Sequence, residues 1–304
     1  MFDNIELRLS VVDPVFSVIE MIGLVFLLML VSEAAWDVFS GYRKSLKETG
    51  ANIFISIVNS VLERLAFGAI FVVGIFASEK LAVSEVSLSW WSWLLAVLLA
   101  DLTYYWMHRF EHRVRLLWTY HSVHHSSPEF NFSTALRLAW VEALFTWIFF
   151  VPMVVIGFDP AQVIGALAVV IAYQSWIHTE KLGKVRILDA VLNTPSNHRV
   201  HHGRNRIYLD KNFGGILIIW DKLFGTYAPE TEEVLFGITK PVGSSNPFVI
   251  NFSETALMLK EVFRPGPMKL RLGRIFMPPG WSDNAKPRRN KTSEDQQAAR
   301  RKLN

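Results

Sequence analysis

The chain has 304 residues, of which 51% are hydrophobic and 19% are charged, and its formal net charge at neutral pH is +4. Its mean hydropathy of +0.26 is too high for an ordinary soluble domain, so the composition favours a membrane protein. The absence of cysteine from the sequence excludes disulfides and thiolate metal sites, so any metal must be bound by nitrogen and oxygen atoms.

Apolar stretches in the first part of the chain predict four or five membrane-crossing helices, since about 20 apolar residues span a bilayer. The first stretch, residues 15–36, follows an acidic start without a basic n-region, so we expect no cleaved signal peptide. The second stretch, residues 51–78, contains Asn59, Glu63 and Arg64. These polar side chains must face protein, water or the membrane interface rather than lipid.

Three further stretches follow. Residues 88–107 carry aromatic side chains at both ends, as expected where a helix meets the two interfaces of a membrane. The stretches at 140–157 and 161–177 are separated by only three residues, which predicts a tight helical hairpin.

Lysine and arginine residues concentrate in the connections at 43–47 and 109–137 and after residue 178. Positive charge marks the cytoplasmic side of a membrane protein, so these segments are predicted to be cytoplasmic, in a bacterial inner membrane or in a eukaryotic endoplasmic reticulum. With five crossings, the N-terminus lies outside. The basic residues do not form one stripe with exposed aromatic residues, so we expect no nucleic-acid partner.

We predict one all-α membrane domain over residues 1–282. Residues 213–227 are apolar but too short and interrupted to span a bilayer, which predicts an amphipathic or re-entrant element beneath the membrane. Residues 283–304 contain no aromatic and almost no aliphatic side chains, so we predict a disordered basic tail. The sequence leaves the oligomeric state open.

The histidines are concentrated in the second two thirds of the chain, and on the predicted topology they collect at the cytoplasmic side. They are His108, His112, His121, His124, His125, His178, His198, His201 and His202. The first two are four residues apart, and two trios repeat the spacing i, i+3, i+4, so each trio is predicted to point one way if helical. Thr194 and Pro195 predict the start of a helix before the last trio, and Gly203 predicts its end.

Imidazole is the commonest nitrogen ligand for iron, zinc and copper, and converging helices can build a metal core from such rings. Nine nitrogens are too many for one ion, so the sequence predicts two metal ions close together. One histidine pair alone would as often be structural, but three clusters with one spacing and one sidedness favour ligands. His178 stands alone, and a capping or interfacial role is its alternative.

Four motifs together carry a resemblance to a known family. They are HRFEH at 108–112, HSVHH at 121–125, WIHTE at 176–180 and NHRVHH at 197–202. In this order they resemble the fatty acid hydroxylase and sterol desaturase superfamily of membrane di-iron oxygenases, over about residues 101–230. The stretches at 124–137 and 197–227 look most like the alkylglycerol monooxygenase branch and its bacterial relatives.

The resemblance implies membrane helices capped by a cytosolic helical domain that holds two iron ions. It also implies O2 as co-substrate, two electrons from an external donor, and oxidation of an unactivated C–H bond in a sterol, fatty acyl or ether lipid. We favour hydroxylation, with desaturation as the alternative. The donor is an electron-donor protein or another reductant; tetrahydrobiopterin is a candidate by resemblance alone.

Two polar residues are predicted to act at the metal site. Asp101 lies one heptad before His108 inside an apolar stretch, where an ionisable residue is by default functional or paired. Asn197 adjoins the last trio and is either a direct ligand or a residue that orients one. Further candidates for hydrogen bonds to ligating histidines, for which helix capping or surface exposure is favoured, are Glu111, Glu142, Glu180, Asp210 and Asp221.

Two other classes of protein remain as alternatives. A non-redox zinc-binding or metal-transport protein needs polar ligands near the midplane of several segments, whereas these histidines collect at one face. A haem-binding electron-transfer protein needs only axial histidines and leaves most of the nine unexplained.

Overall fold

The computed structural model describes residues 8–41 and 46–281, and within these ranges the regular secondary structure is helical. The predicted all-α class is therefore confirmed, whereas the predicted tail at 283–304 lies outside the described residues. The helices in chain order are α1 (Asp13–Phe39), α2 (Leu46–Leu62), α3 (Gly68–Ser78), α4 (Trp90–Arg113), α5 (Arg115–His125), α6 (Ala143–Val155), α7 (Pro160–Tyr173), α8 (Arg186–Asp189), α9 (Pro195–His201), α10 (Ile219–Leu223), α11 (Pro247–Val262) and α12 (Met268–Phe276).

Three helical stretches of the described chain are long and apolar enough to cross a membrane: Ser10–Phe39, Leu46–Leu81 and Pro160–Ile177. They correspond to the first, second and fifth predicted crossings. Helix α6 is apolar but has only 13 residues, and α4 contains the third predicted stretch from residue 90 onward. The number of crossings therefore stays a prediction.

The hairpin of α6 and α7 is formed as its sequence predicts. Asp159 accepts a hydrogen bond from the Ala161 N–H (2.7 Å), and Pro160 occupies the first turn of α7. Gly157 has a φ of +104°, and a Cβ there would lie 2.5 Å from the carbonyl oxygen of Ser84. Glycine is therefore required at the end of α6 for both conformation and space.

Helix α4 is the centre of the main apolar core, packed between α6 and α7. Small side chains at Ala96 and Ala100 on α4 and at Ala166 on α7 are fully buried, and they let the two helices approach closely. Larger side chains from α6, including Phe150 and Met153, fill the remaining space. The last two turns of α4 carry His108 and His112, so this packing fixes their position.

A second apolar cluster holds α5 against α2 and α11. Tyr120 and Val123 of α5 pack with Trp140, whose indole N–H donates to the carbonyl oxygen of Ile55 on α2 (3.1 Å). Helix α5, which carries the first histidine trio, is therefore joined to α2 by apolar packing.

A buried arginine provides the main polar link. The guanidinium of Arg137 donates to Glu48 Oε2 and Asn52 Oδ1 of α2, both at 2.9 Å. It also donates to the carbonyl oxygen of Val123 (3.0 Å) and to Ser126 Oγ (2.8 Å) at the end of α5. Arg137 is only 1% exposed, so these contacts connect the second membrane helix to the helix of the first histidine trio without competition from water.

We expect Arg137→Met to lower the free energy of unfolding by about 3–5 kcal/mol, because it leaves the Glu48 carboxylate buried without its cation. Denaturant unfolding of the purified protein in mild detergent measures the change. Lys184→Met is the matched control: the Lys184 ion pair has a 57% exposed lysine side chain, so its loss should cost less than about 1 kcal/mol. Equal free energies of unfolding for the two variants would contradict the conclusion that Arg137 provides the main polar link.

Candidate metal centre

The nine histidines converge from four parts of the chain. Helix α4 supplies two, α5 and the end of α9 supply three each, and His178 follows the 3-10 turn Gln174–Ile177. Each side chain is at most 9% exposed. They form a first group of His108, His112, His121, His125 and His201, and a second group of His124, His178, His198 and His202.

Both trios divide between the two groups. In α5, His121 and His125 join the first group and His124 joins the second. In α9 the assignment is reversed, because His201 joins the first group while His198 and His202 join the second. Around a helix, i+4 is rotated by about 40° from i, and i+3 by about 60° in the opposite direction. The prediction that each trio points one way is therefore corrected: each helix contributes to both groups.

Within each group the imidazole Nε2 atoms face one another, and the ligating nitrogens all lie within 4.8 Å. In the first group, Nε2 of His121 lies 3.0 Å from that of His108 and 3.1 Å from that of His125. In the second group, Nε2 of His178 lies 2.9 Å from that of His198 and 3.2 Å from that of His124.

These spacings fit a metal ion with ligands at right angles. Two nitrogens at about 2.1 Å from one ion are about 3.0 Å apart at 90° and about 3.4 Å apart in a tetrahedron. The observed 2.9 to 3.2 Å between nearest neighbours is close to the first value. Five nitrogens in the first group also exceed the four ligands of a structural zinc site.

Main-chain carbonyl groups orient three of the rings from behind. Nδ1 of His108 lies 2.9 Å from the oxygen of Phe213, and Nδ1 of His201 lies 2.9 Å from that of Lys211. His178 makes the same contact with Gln174, also at 2.9 Å. A carbonyl oxygen can only accept, so each Nδ1 carries the hydrogen and each Nε2 directs its lone pair into the group.

Glu111 provides a carboxylate behind the first group. Its Oε2 lies 3.2 Å from Nδ1 of His121, and its Oε1 accepts a hydrogen bond from the Tyr120 hydroxyl (3.0 Å). The sequence indicates Glu111 as a candidate for a hydrogen bond to a ligating histidine but favours a capping or surface role; the structure places its carboxyl group beside His121. Glu111 lies on α4 and His121 on α5, and spacing along one helix gives no signal for such a pair.

Asp101 contacts a loop behind the centre. Its carboxylate accepts hydrogen bonds from the main-chain N–H groups of Ile216 (2.6 Å) and Leu217 (3.0 Å) and from the indole N–H of Trp220 (2.8 Å). A Cβ at Gly215 would lie 2.8 Å from its Oδ1. These contacts support a positioning role for Asp101, whose predicted action at the metal site stays a prediction.

Asp221 completes the support of the same loop. Its two carboxylate oxygens accept from the main-chain N–H groups of Phe213 and Gly214, each at 2.8 Å. The loop therefore holds the Phe213 carbonyl, and this carbonyl holds the ring of His108. This region was predicted to pack beneath the membrane; it contains the short helix α10 and closes one side of the first group.

Asn197 fixes the start of α9. Its side-chain N–H groups donate to the main-chain carbonyl oxygens of Asp189 (3.1 Å) and Leu192 (3.0 Å), and its main-chain carbonyl accepts from Asn212 Nδ2 (3.0 Å). These contacts favour an orienting role over direct ligation. Helix α9 begins at Pro195 and ends at His201, close to the predicted start and stop.

The other candidate carboxylates have more distant roles. Asp210 Oδ1 lies 3.9 Å from Nδ1 of His112, and its Oδ2 accepts from Arg113 (2.7 Å). Glu142 lines the cavity described below. Glu180 follows His178 by two residues, and its role behind an imidazole stays a prediction.

Burial keeps the imidazoles neutral. It lowers the pKa of His178, His198 and His202 well below the usual value and that of His124 to about 4. A neutral ring retains the lone pair that a metal ion needs, whereas a protonated ring has none. The donor set is therefore suited to a metal ion throughout the physiological pH range.

Two cavities approach the histidines from different sides. A mainly apolar cavity of about 470 Å³ lies among the membrane helices and reaches His121, His124 and His178. A smaller one of about 170 Å³ reaches His112, His125, His201 and His202. The apolar wall of the larger cavity includes Phe16, Phe26, Phe71, Leu136, Ile164 and Leu167.

Residues 93–226 match the family described as Fatty acid hydroxylase, and this stretch includes all nine histidines. The chain contains a fatty acid hydroxylase domain. The superfamily resemblance of the four histidine motifs is thereby confirmed.

Several proteins similar to this chain are named as enzymes that oxidise lipids. The chain is 40% identical over 206 residues to alkylglycerol monooxygenase of Xenopus tropicalis, covering 67% of this chain and 46% of the relative. It is 42% identical over 199 residues to the human alkylglycerol monooxygenase, covering 65% and 44%. It is 26% identical over 243 residues to the ornithine lipid hydroxylase OlsE of Rhizobium tropici, covering 72% and 71%.

The chain thus spans less than half the length of the alkylglycerol monooxygenases that it matches. No solved structure is significantly similar to it.

We expect Asp101→Asn to lower metal affinity by about 10- to 100-fold, the usual effect of removing a group that supports a ligand. The amide cannot accept from all three N–H donors, so the loop that carries the Phe213 carbonyl must shift. Metal content after dialysis against a graded series of chelator concentrations measures the effect. Glu79→Gln, which alters a surface ion pair with Arg8, should retain metal normally; equal retention by both variants would contradict the positioning role.

Proposed function

We propose that this protein is a membrane-bound di-iron oxygenase that uses O2 and two electrons to hydroxylate an unactivated C–H bond of a lipid. The observation that carries the proposal is the apolar cavity that leads from the membrane helices to histidines of both groups. An apolar chain in this cavity would lie against the metal-binding nitrogens. Its volume of about 470 Å³ is in the usual range for sites that enclose a small ligand.

In this proposal the first group holds one iron and the second group holds the other. Two features support iron over tetrahedral zinc: the short distances between neighbouring Nε2 atoms and the five candidate nitrogen ligands of the first group. Bound iron would supply the redox chemistry with O2 that zinc lacks.

The chain's own residues orient the histidine rings, support them from behind and exclude water from the site. Main-chain carbonyl groups lie behind rings of both groups and fix the orientation of those rings before a metal binds. They belong to Phe213, Lys211 and Gln174. The Glu111 carboxyl group lies 3.2 Å from Nδ1 of His121 and supports this ring from behind. The apolar cavity wall excludes water from the C–H bond and from the metal centre.

Hydroxylation is favoured over desaturation because the relatives are named monooxygenases and hydroxylases. Both outcomes start with removal of one hydrogen from carbon, so desaturation by the same site stays the alternative. An ether lipid is one candidate substrate, by similarity to the alkylglycerol monooxygenases, and an amino-acid-linked lipid is another, by similarity to the ornithine lipid hydroxylase.

We further propose that the histidine groups face the cytoplasm, where an electron-donor protein or a soluble reductant such as tetrahydrobiopterin can reach them. The basic residues in the connections next to the histidines support this side. The cavity that reaches His112 and His201 is separate from the lipid cavity, so electrons and lipid can arrive by different routes.

We expect the protein purified in mild detergent without added metal to contain about two irons per chain, as two groups of converging histidines require. His124→Ala and His125→Ala are a matched pair, because the residues are adjacent on α5 but belong to different groups. Each should lose iron, mainly from its own group, and should abolish O2-dependent lipid oxidation. Elemental analysis, iron spectroscopy and product analysis measure these effects.

Ser122→Ala on the same helix is the control and should keep both iron and turnover, since its hydroxyl makes only a 3.4 Å hydrogen bond to the carbonyl oxygen of Thr119. Zinc alone in the wild-type protein, with no O2 uptake after anaerobic loading with ferrous iron, would show a non-redox zinc protein and reject the oxygenase.

A further inference from the structure

The lipid cavity is mainly apolar, but besides its histidines, Tyr104, Gln174 and Ser175 its lining includes a cluster of four polar side chains. Asn59, Glu63, Glu142 and Thr146 belong to this cluster. Among the described residues that line the cavity, these two glutamates carry acidic side chains, while lysine and arginine are absent. The proposed oxygenase function requires an apolar chain next to the histidines, but it does not explain two carboxyl groups beside that chain.

Glu63 lies inside Leu46–Leu81, one of the stretches able to cross a membrane. A carboxyl group at such a position is costly and is usually retained for function. The helix is locally irregular here, because Glu63–Phe67 form a π-helical turn in which the Gly68 N–H donates to the Glu63 carbonyl. Turns of this kind occur frequently at functional sites.

The π turn also limits what can follow it. A Cβ at position 68 would lie 2.7 Å from the Glu63 carbonyl oxygen, so glycine fits there without displacing the turn. On the preceding turn, Asn59 Nδ2 donates to Glu63 Oε1 (2.9 Å). The amide therefore fixes one carboxyl oxygen and leaves the other available to a ligand in the cavity.

Glu142, just before α6, lines the same cavity. It lies within electrostatic reach of Glu63 and also of Glu111, which contacts His121. The acidic groups thus extend from the π turn toward the first histidine group. A polar ligand group held between Glu63 and Glu142 would be close to the part of the cavity that reaches His121 and His124.

We propose that Asn59, Glu63 and Glu142 bind the polar head of the lipid substrate, and that this head carries hydrogen-bond donors and no negative charge. The proposal rests on the proposed function in one respect, since it takes the cavity's occupant to be the lipid that is oxidised. Hydroxyl and ammonium groups are the two sources of such donors. By holding the head, these residues select which carbons of the chain reach the metal centre.

The chemistry of the cluster excludes an anionic head. A phosphate or carboxylate would lose its hydration on entering the cavity and would meet carboxyl groups instead of a cation. A hydroxyl or ammonium group would exchange its hydrogen bonds to water for hydrogen bonds to Glu63 and Glu142. Sites built to hydrogen-bond a substrate group discriminate strongly against analogues that lack it.

The test is equilibrium binding of four lipids with one alkyl chain and different heads: glycerol, a primary ammonium, a carboxylate and a phosphate monoester. Binding to the wild-type protein in nanodiscs is measured by native mass spectrometry under anaerobic conditions, so that no turnover is needed. We expect the glycerol lipid, the ammonium lipid or both to bind at least about tenfold more tightly than either anionic lipid. Comparison of the first two arms distinguishes hydroxyl from ammonium donors.

The double variant Glu63→Gln, Glu142→Gln should weaken binding of the preferred lipid by at least about tenfold and narrow its advantage over the carboxylate lipid. Glu63→Asp retains the carboxyl group and should preserve the preference even if the double variant is poorly folded. Ser175→Ala is the matched control: it also lines the cavity, but its hydroxyl donates to the Ala172 carbonyl (2.8 Å). Its head preference should be unchanged.

Tight binding of an anionic lipid by the wild-type protein, or an unchanged preference in the folded double variant, would overturn the proposal. The outcome is distinct from that for the oxygenase. A head preference lost in the double variant, without any O2-dependent product from the wild-type protein, would support the binding site and reject the oxygenase. Lipid oxidation without head preference would do the reverse.

Discussion

Nine buried imidazole rings must direct uncharged nitrogens at two points, and much of the fold serves this constraint. A protonated ring cannot bind a metal, and a ring that rotates freely loses its direction. Burial removes the proton, and hydrogen bonds at Nδ1 fix the rotation. The carbonyl groups of Phe213, Lys211 and Gln174 provide three of these bonds. The Phe213 carbonyl lies 105 residues from His108 in sequence, so a distant loop is needed to orient this ring on α4.

The supporting structure transmits this constraint outward. Asp101 and Asp221 shape the loop that presents the Phe213 carbonyl, and neither needs to contact a metal to matter. Arg137 joins the end of α5 to α2 through buried hydrogen bonds. Small residues along α4 allow the close packing that fixes its last two turns. In the described chain, packing and hydrogen bonds therefore connect the membrane helices, the loop that carries the Phe213 carbonyl and the helices that carry the histidines.

Much of this arrangement could be predicted from the sequence. Histidine spacing, the helix signals at Thr194 and Gly203, and apolar segments all depend on neighbours along the chain, and they gave the helical class, the convergence of the histidines and the bounds of α9. The division of each trio depends on how α5 and α9 face each other, and the Glu111–His121 contact joins two helices. Contacts between two helices cannot be read from the spacing of residues along either helix, so these features could be seen only in the structure. Asp101 was singled out correctly as unusual, but its position on the helix did not show which segment it supports.

The use of main-chain carbonyls behind His108, His178 and His201 bears on how the centre can change in evolution. A substitution at Phe213, Lys211 or Gln174 changes only the side chain. The main-chain carbonyl oxygen therefore remains as a hydrogen-bond acceptor as long as the backbone conformation is retained. Glu111 is different, because one base change can remove its carboxylate and with it the partner of His121. Ring orientation is therefore protected against drift at three positions, whereas the electronic character of the first group is open to adjustment at one.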